Sequence, residues 1–202
     1  MIKSFIKFIW LIPCFILFVA CDDDKSEAGD RYYSAGQYEQ AIEAYNRHLE
    51  LNDPTHVKSL YNRGRSYEEL GQPERALEDY ERILEIDPNN ANANLSIGNY
   101  YYRKQDFEDA QYHFDNAITA EPNNARALFL RARSRQKLGK TDEALSDYNT
   151  AISLDKNMGE AYLYRGTLKI SKRQRNSACA DFRTAKALKV GEADNALTKF
   201  CN

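Results

Sequence analysis

Apolar and polar positions along this chain repeat as a block of fixed length. Pro54, Pro88 and Pro122 stand 34 residues apart, and Lys156 and Val190 continue the series. A small residue recurs in step at Gly29, Gly64, Gly98, Ala132 and Gly166. Twelve residues later comes an alanine (Ala41, Ala76, Ala110, Ala144, Ala178), and four further on an aromatic (Tyr45, Tyr80, Phe114, Tyr148, Phe182). A second aromatic follows the small residue by three at Tyr32, Tyr67 and Tyr101, and gives way to Arg135 and Lys169 in the last two blocks. The first block carries one extra residue, in the stretch from Leu49 to Pro54. A strict period of this length predicts a helical solenoid. Such folds are built to bind along an extended surface.

Each position has a physical reading. The small residue and the alanine belong to two helices that must approach closely, where a bulky side chain would hold them apart. The aromatic shares a helix face with the alanine four residues before it and is expected to fill the space between adjacent units. Gly36, Gly71 and Gly139 suit the turn between the two helices, where positive φ is needed. Asp87 to Asn90 and Glu121 to Asn124 read as the end of one second helix and the start of the next unit.

This pattern closely resembles the tetratricopeptide repeat (TPR) over residues 22–192. The resemblance implies an all-α, right-handed superhelical solenoid of about five helix-turn-helix units, at 28–56, 57–90, 91–124, 125–158 and 159–192. Residues 193–202 read as a capping helix. The repeats leave no room for a second domain in 202 residues.

The amino terminus differs from the rest. Mean hydropathy is -0.70, yet Lys3 and Lys7 precede an apolar run from Phe8 to Ala20 broken only by Pro13. This is a charged region followed by a hydrophobic one of secretory type, too short for a comfortable span. Residues 1–20 closing on Cys21 resemble a bacterial lipoprotein signal, with Phe18 where Leu is usual. The resemblance implies that Cys21 is acylated and becomes the first mature residue, at the head of a short acidic tether, 21–27. An uncleaved signal anchor is the alternative. Several acyl chains on one residue give a stable anchor. Asp22, Asp23 and Asp24 resemble the export signal of surface lipoproteins in Bacteroidetes-type bacteria, whereas in enteric bacteria an Asp after the lipidated Cys tends to retain a lipoprotein at the inner membrane. Three aspartates that merely solvate the tether are a third reading. An outer-membrane or cell-surface location is favoured over the inner membrane.

With Cys14 lost and Cys21 lipidated, Cys179 and Cys201 remain, and two cysteines in an exported protein suggest a disulfide; free thiols are the alternative. A loop of that size is worth roughly 3 kcal/mol by chain entropy. The net charge of -2 conceals a polarity: residues 22–124 hold 10 basic and 22 acidic side chains, and residues 125–202 hold 16 and 8. A basic distal half suits an acidic partner, or is simply a differently solvated surface.

In the TPR family the first helix of each unit lines the concave face. The resemblance places on it Lys58, Tyr61 and Arg65, then Asn92, Asn99, Tyr102 and Arg103, then Arg126, Phe129, Arg133 and Lys137. Amides, guanidinium groups and rings in that mixture suit an extended peptide. The family's clamp for chaperone termini is not reproduced: the matching positions read Ser26, Asp30, Asn62, Asn92 and Ser96, or Tyr61, Arg65, Ser96, Arg126 and Leu130. His48, His56 and His113 lack metal-ligand spacing, and no nucleophile elbow, phosphate loop or dinucleotide motif is present. The expectation is therefore a non-catalytic scaffold, without metal or cofactor, for a protein or peptide partner and not for nucleic acid. A structural subunit of an envelope, secretion or motility assembly, using its convex face, is one alternative. Glycan or peptidoglycan binding through Tyr102 and Phe129 is another.

Overall fold

The computed structural model describes residues 25–201, and within them the chain is all-helical. Five antiparallel helix pairs follow one another: α1 (Lys25–Ser34) with α2 (Tyr38–Leu51), α3 (Val57–Glu69) with α4 (Pro73–Ile86), and α5 (Ala91–Arg103) with α6 (Phe107–Ala120). Then come α7 (Ala125–Lys137) with α8 (Thr141–Leu154), α9 (Gly159–Ser171) with α10 (Arg175–Ala187), and α11 (Glu192–Cys201), which covers the last pair. The whole is a right-handed solenoid. Its first helix begins at Lys25, inside the stretch expected to be tether, and the side chain of Ser26 is already buried there.

The turn inside each pair uses one device. Gly36, Gly71 and Gly139 take φ of 71°, 69° and 76°, and the next residue's N–H returns to a carbonyl five residues back, as in Gln72 N to Tyr67 O at 2.9 Å. That is the Schellman closure of a helix. Gln105, Arg173 and Lys189 hold the same left-handed conformation without being glycine, at φ of 66°, 61° and 64°. Units three to four start with an asparagine cap: Asn90 Oδ1 accepts from Ala93 N at 3.1 Å, and Asn124 Oδ1 from Ala127 N at 2.9 Å. In unit two His56 replaces it, with Nδ1 accepting from Ser59 N at 3.3 Å.

The recurring aromatic does meet the next unit, as where Tyr148 stacks on Tyr164 with ring centres 6.4 Å apart, and it is also seated inside its own pair. It fills the hollow left by the small residue of its own unit. A Cβ added at Gly64, Gly98 or Gly166 would lie 2.7, 2.5 or 2.6 Å from the ring of Tyr80, Phe114 or Phe182. Glycine lets the ring of the second helix lie against the backbone of the first, so the two helices of a pair approach closely. The buried tyrosines also satisfy their hydroxyls, Tyr45 to Asp30 at 2.7 Å and Tyr148 to Gln136 at 2.9 Å.

A buried ion pair then joins one unit to the next. Arg63 donates through Nε and Nη2 to both oxygens of Asp79 at 2.9 and 2.5 Å, and through Nη1 to Asn46 of the preceding unit at 2.7 Å. Arg131 repeats this with Asp147 and Asp115, and Arg165 with Asp181 and Asn149, with all distances between 2.6 and 3.0 Å. The three aspartates are 2–4 % exposed. Arg135 and Lys169, which stand where the second aromatic would be, add a further cation to Asp147 and Asp181 at 2.7 and 2.8 Å. Where the arginine is missing the aspartate is missing too. Unit three has Ile97 and His113 at these positions, and unit one has Ala28 and Ala44. His113 instead holds Nδ1 3.1 Å from Asn94 Oδ1 and stacks on Tyr101. Burial lowers its pKa below the usual imidazole value.

At the far end a disulfide joins Cys179 and Cys201, with their Cα atoms 5.7 Å apart. Phe200 stacks on Phe182, and Arg175 Nε donates to the Phe200 carbonyl at 2.6 Å. The apolar outer face of α10 is thereby covered by α11.

Two outcomes follow for urea denaturation. Asp79→Ala leaves Arg63 buried without its carboxylate and should lower stability by about 3 kcal/mol, whereas Arg63→Ile with Asp79→His, the pairing found in unit three, should recover most of that loss. Gln105→Gly should raise stability by about 0.5–1 kcal/mol because the left-handed strain is removed.

Candidate functional site

The first helices α3, α5, α7 and α9 line the concave side, and two depressions join there into one trough. The first, of about 350 Å³, is lined by Tyr61, Arg65, Glu68, Glu69, Asn92, Leu95, Ser96, Asn99, Arg103 and Arg126. The second, of about 360 Å³, is lined by Asn99, Arg126, Phe129, Leu130, Arg133, Met158 and Glu160. Asn99 and Arg126 belong to both, so the two depressions are continuous across units two to five.

Nine of the residues expected in a groove therefore come together: Tyr61, Arg65, Asn92, Asn99, Arg103 and Arg126 around the first depression, and Phe129 and Arg133 with the shared pair around the second, with Tyr102 beneath Arg133. Lys58 and Lys137 line neither depression. Lys58 forms an ion pair with Asp30 at 2.7 Å and so ties α3 to α1. Lys137 lies exposed at the end of α7.

The cations are not equivalent. Arg103 pairs with Glu68 at 3.3 Å. Arg131 and Arg135, on the same helix as Arg126 and Arg133, are neutralised by Asp147. Arg65, Arg126 and Arg133 have no carboxylate partner among the described residues. Arg65 instead lies over the ring of Tyr33, its guanidinium carbon 4.8 Å from the centre. Arg133 lies over Tyr102, Tyr164 and Phe129, at 4.7, 5.1 and 5.8 Å. Ring faces are electronegative, so they hold a guanidinium in place without neutralising it.

Phe129 is only 6 % exposed and packs against Tyr148 and Tyr164. It is the floor of the trough. Tyr102 is covered by Arg133 on its face and met by Phe107 at 5.3 Å. The buried ring of Phe129 offers no open face for stacking a sugar.

The acidic wall, Glu68, Glu69 and Glu160, escaped the choice of groove residues. Glu68 and Glu69 occupy the twelfth and thirteenth positions of unit two and Glu160 the second of unit five, which the family's concave register does include. Tyr164, the third ring around Arg133, carries no such signal. It becomes visible only once α9 is packed against α7.

Among the described residues no helix is long and apolar enough to cross a membrane, and no three acidic, histidine or cysteine side chains come together to hold a metal ion. Cys21 and the amino-terminal apolar run lie outside the described residues.

The family model described as tetratricopeptide repeat matches residues 26–91. A second, described as anaphase-promoting complex, cyclosome, subunit 3, matches residues 74–151. No curated protein sequence matches the chain. Among solved structures, MamA superposes with a TM-score of 0.72 at 25 % identity, over 82 % of this chain and 96 % of that one. A MamA fragment from Desulfovibrio magneticus RS-1 gives 0.73 at 19 % identity, over 83 % and 96 %. The pilF protein of Pseudomonas aeruginosa gives 0.73 at 20 % identity, over 82 % and 75 %. The latter two likenesses speak for the fold alone. The 34-residue register, the five closed helix pairs and the two family matches make this chain a tetratricopeptide-repeat protein, built as a scaffold for protein–protein interaction.

Proposed function

We propose that this chain is an exported scaffold, held at a bacterial membrane by lipid on Cys21, that captures a segment of a partner protein in its concave trough. The observation that carries the reading is the set of three trough arginines, Arg65, Arg126 and Arg133, without a carboxylate partner, while the clamp arginines outside it are ion-paired. A cation left without a counter-charge beside an apolar floor complements a partner that brings acidic and apolar side chains together. The lipidation and export rest on the amino-terminal sequence, and the capture is by equilibrium binding, with no catalytic step.

A second reading has its own observation. Leu51, Ile86 and Leu154 stand at the same repeat position, at the ends of α2, α4 and α8, and are 73 %, 43 % and 42 % exposed, with Ala120 in that place on α6. A periodic apolar edge suits the flank of a larger assembly.

Arg65 and Arg126 are both exposed. The pair of substitutions Arg65→Glu and Arg126→Glu should abolish partner capture from envelope extracts while helicity and melting stay as in the wild type. Capture that survives these changes and is lost instead on Leu51→Gln with Ile86→Gln would transfer the function to the edge.

A further inference from the structure

The convex side of the solenoid changes character between the second unit and the third. At four outward positions α2 carries Glu43, Arg47, Glu50 and Leu51, and α4 carries Glu78, Arg82, Glu85 and Ile86, all exposed. Charge of that density is usual for a solvated helix face. The same repeat positions hold Tyr112, Asn116, Thr119 and Ala120 on α6, and Ser146, Thr150, Ser153 and Leu154 on α8. On α10 they hold Ala180, Thr184, Ala187 and Leu188, so these three helices place no charge there. The hydroxyls are turned to their own helices. Thr119 donates to the Asp115 carbonyl at 2.9 Å, Thr150 to that of Ser146 at 3.1 Å, and Thr184 to that of Ala180 at 3.2 Å. Their methyl groups are left to the surface. Leu154, 42 % exposed, stands on the middle helix of the three, and Tyr112, 60 % exposed, projects from α6. Charged side chains are depleted where one protein surface seats on another, because they would lose their water.

We propose that α6, α8 and α10 form the contact between two copies of this chain, related by a two-fold axis that runs along α8. In such an isologous contact the surface must complement itself, and this one does. The axis lays α8 on α8, so Leu154 meets Leu154 and Thr150 meets Thr150. It lays α6 of one copy on α10 of the other, so the projecting Tyr112 meets Ala180, an exposed small residue at the same height. Just past the ends of these helices Glu121 meets Lys189. Both are exposed, and among the described residues neither belongs to an ion pair. Asp155 and Lys156 lie beside the axis, so each can meet the opposite charge of the other copy. An axis across the helices is disfavoured by the same charges. It would set α6 on α6 in the opposite direction and bring Glu121 to the acidic start of that helix, Glu108 and Asp109, while Lys189 would approach Arg173 and Arg175. The trough lies on the other side of the solenoid and stays open, so this contact does not depend on the concave-capture reading.

The test is sedimentation equilibrium of the full chain in nonionic detergent, with micelles in large excess over chains. The expected species is a dimer. Ser146→Arg puts two like charges on the axis and should leave a monomer. Glu121→Lys alone, and Lys189→Glu alone, should each weaken association about fivefold or more, since symmetry repeats the contact and the change makes it repulsive. Both changes in one chain should restore the dimer. The two residues lie two units apart in one chain, so this rescue can act only between copies. Leu154→Cys should form a disulfide-linked dimer on mild oxidation, which the wild-type chain does not. All four positions are exposed, and unchanged helicity by circular dichroism checks that each variant is folded. A monomer at every concentration, a dimer indifferent to Ser146→Arg, or a double charge reversal that fails to restore association overturns the proposal. Each of these results leaves concave capture standing.

Discussion

Much of this solenoid depends on a buried arginine that must satisfy two helices at once. Arg63, Arg131 and Arg165 each grip both oxygens of an aspartate in their own unit and one oxygen in the unit before. In net stability such a pair gives little over a well-packed apolar one, because both charges lose their water. Its geometry is nevertheless demanding. Three oxygens on two second helices have to converge on one planar group, so the position of each unit relative to its neighbour is specified. The chain shows the apolar alternative as well, in Ile97 with His113 and in Ala28 with Ala44, where no charge is buried and no cross-unit clamp forms.

The same constraint shapes the trough. An arginine that faces the second helices meets Asp147, Asp115 or Asp181 and is neutralised there. An arginine one helical face away, at Arg126 or Arg133, meets rings and open space instead. The excess of basic side chains in residues 125–202 is therefore only partly available to a partner. The glycine–aromatic closure within each pair serves the same end. It seats each first helix closely against its second, and the trough is lined by those first helices.

How much of this was legible beforehand depends on what each residue reports. The period, the helix pairs and the glycine turns could be read directly, because they repeat and because Gly36, Gly71 and Gly139 answer a local backbone need. Gln105, Arg173 and Lys189 were not legible as turn residues. Their left-handed φ is imposed by the closure, against their own preference. The seat of the aromatics inside their own pair was not legible, because spacing identifies a shared helix face without identifying everything that face meets. The clamps left a trace, arginine and aspartate 16 apart and recurring every 34 or 68 residues, yet a charged residue in a helix ordinarily reads as solvated surface. In the trough, family register found most of the lining. It could not separate Lys58, held by Asp30, from Arg126, held by nothing acidic, because that distinction lies in the neighbours.

The measurement that bears most directly on the trough as the interaction surface is in-cell photo-crosslinking from Asn92, exposed on the concave side, compared with Tyr112, which is 60 % exposed on a second helix. Asn92 is preferable to Phe129, whose ring is buried and could not be replaced without opening the floor. A single dominant protein adduct from Asn92, absent from Tyr112, is the predicted result. Adducts from Tyr112 alone, in a correctly exported protein, would contradict the account and place the partner on the opposite face.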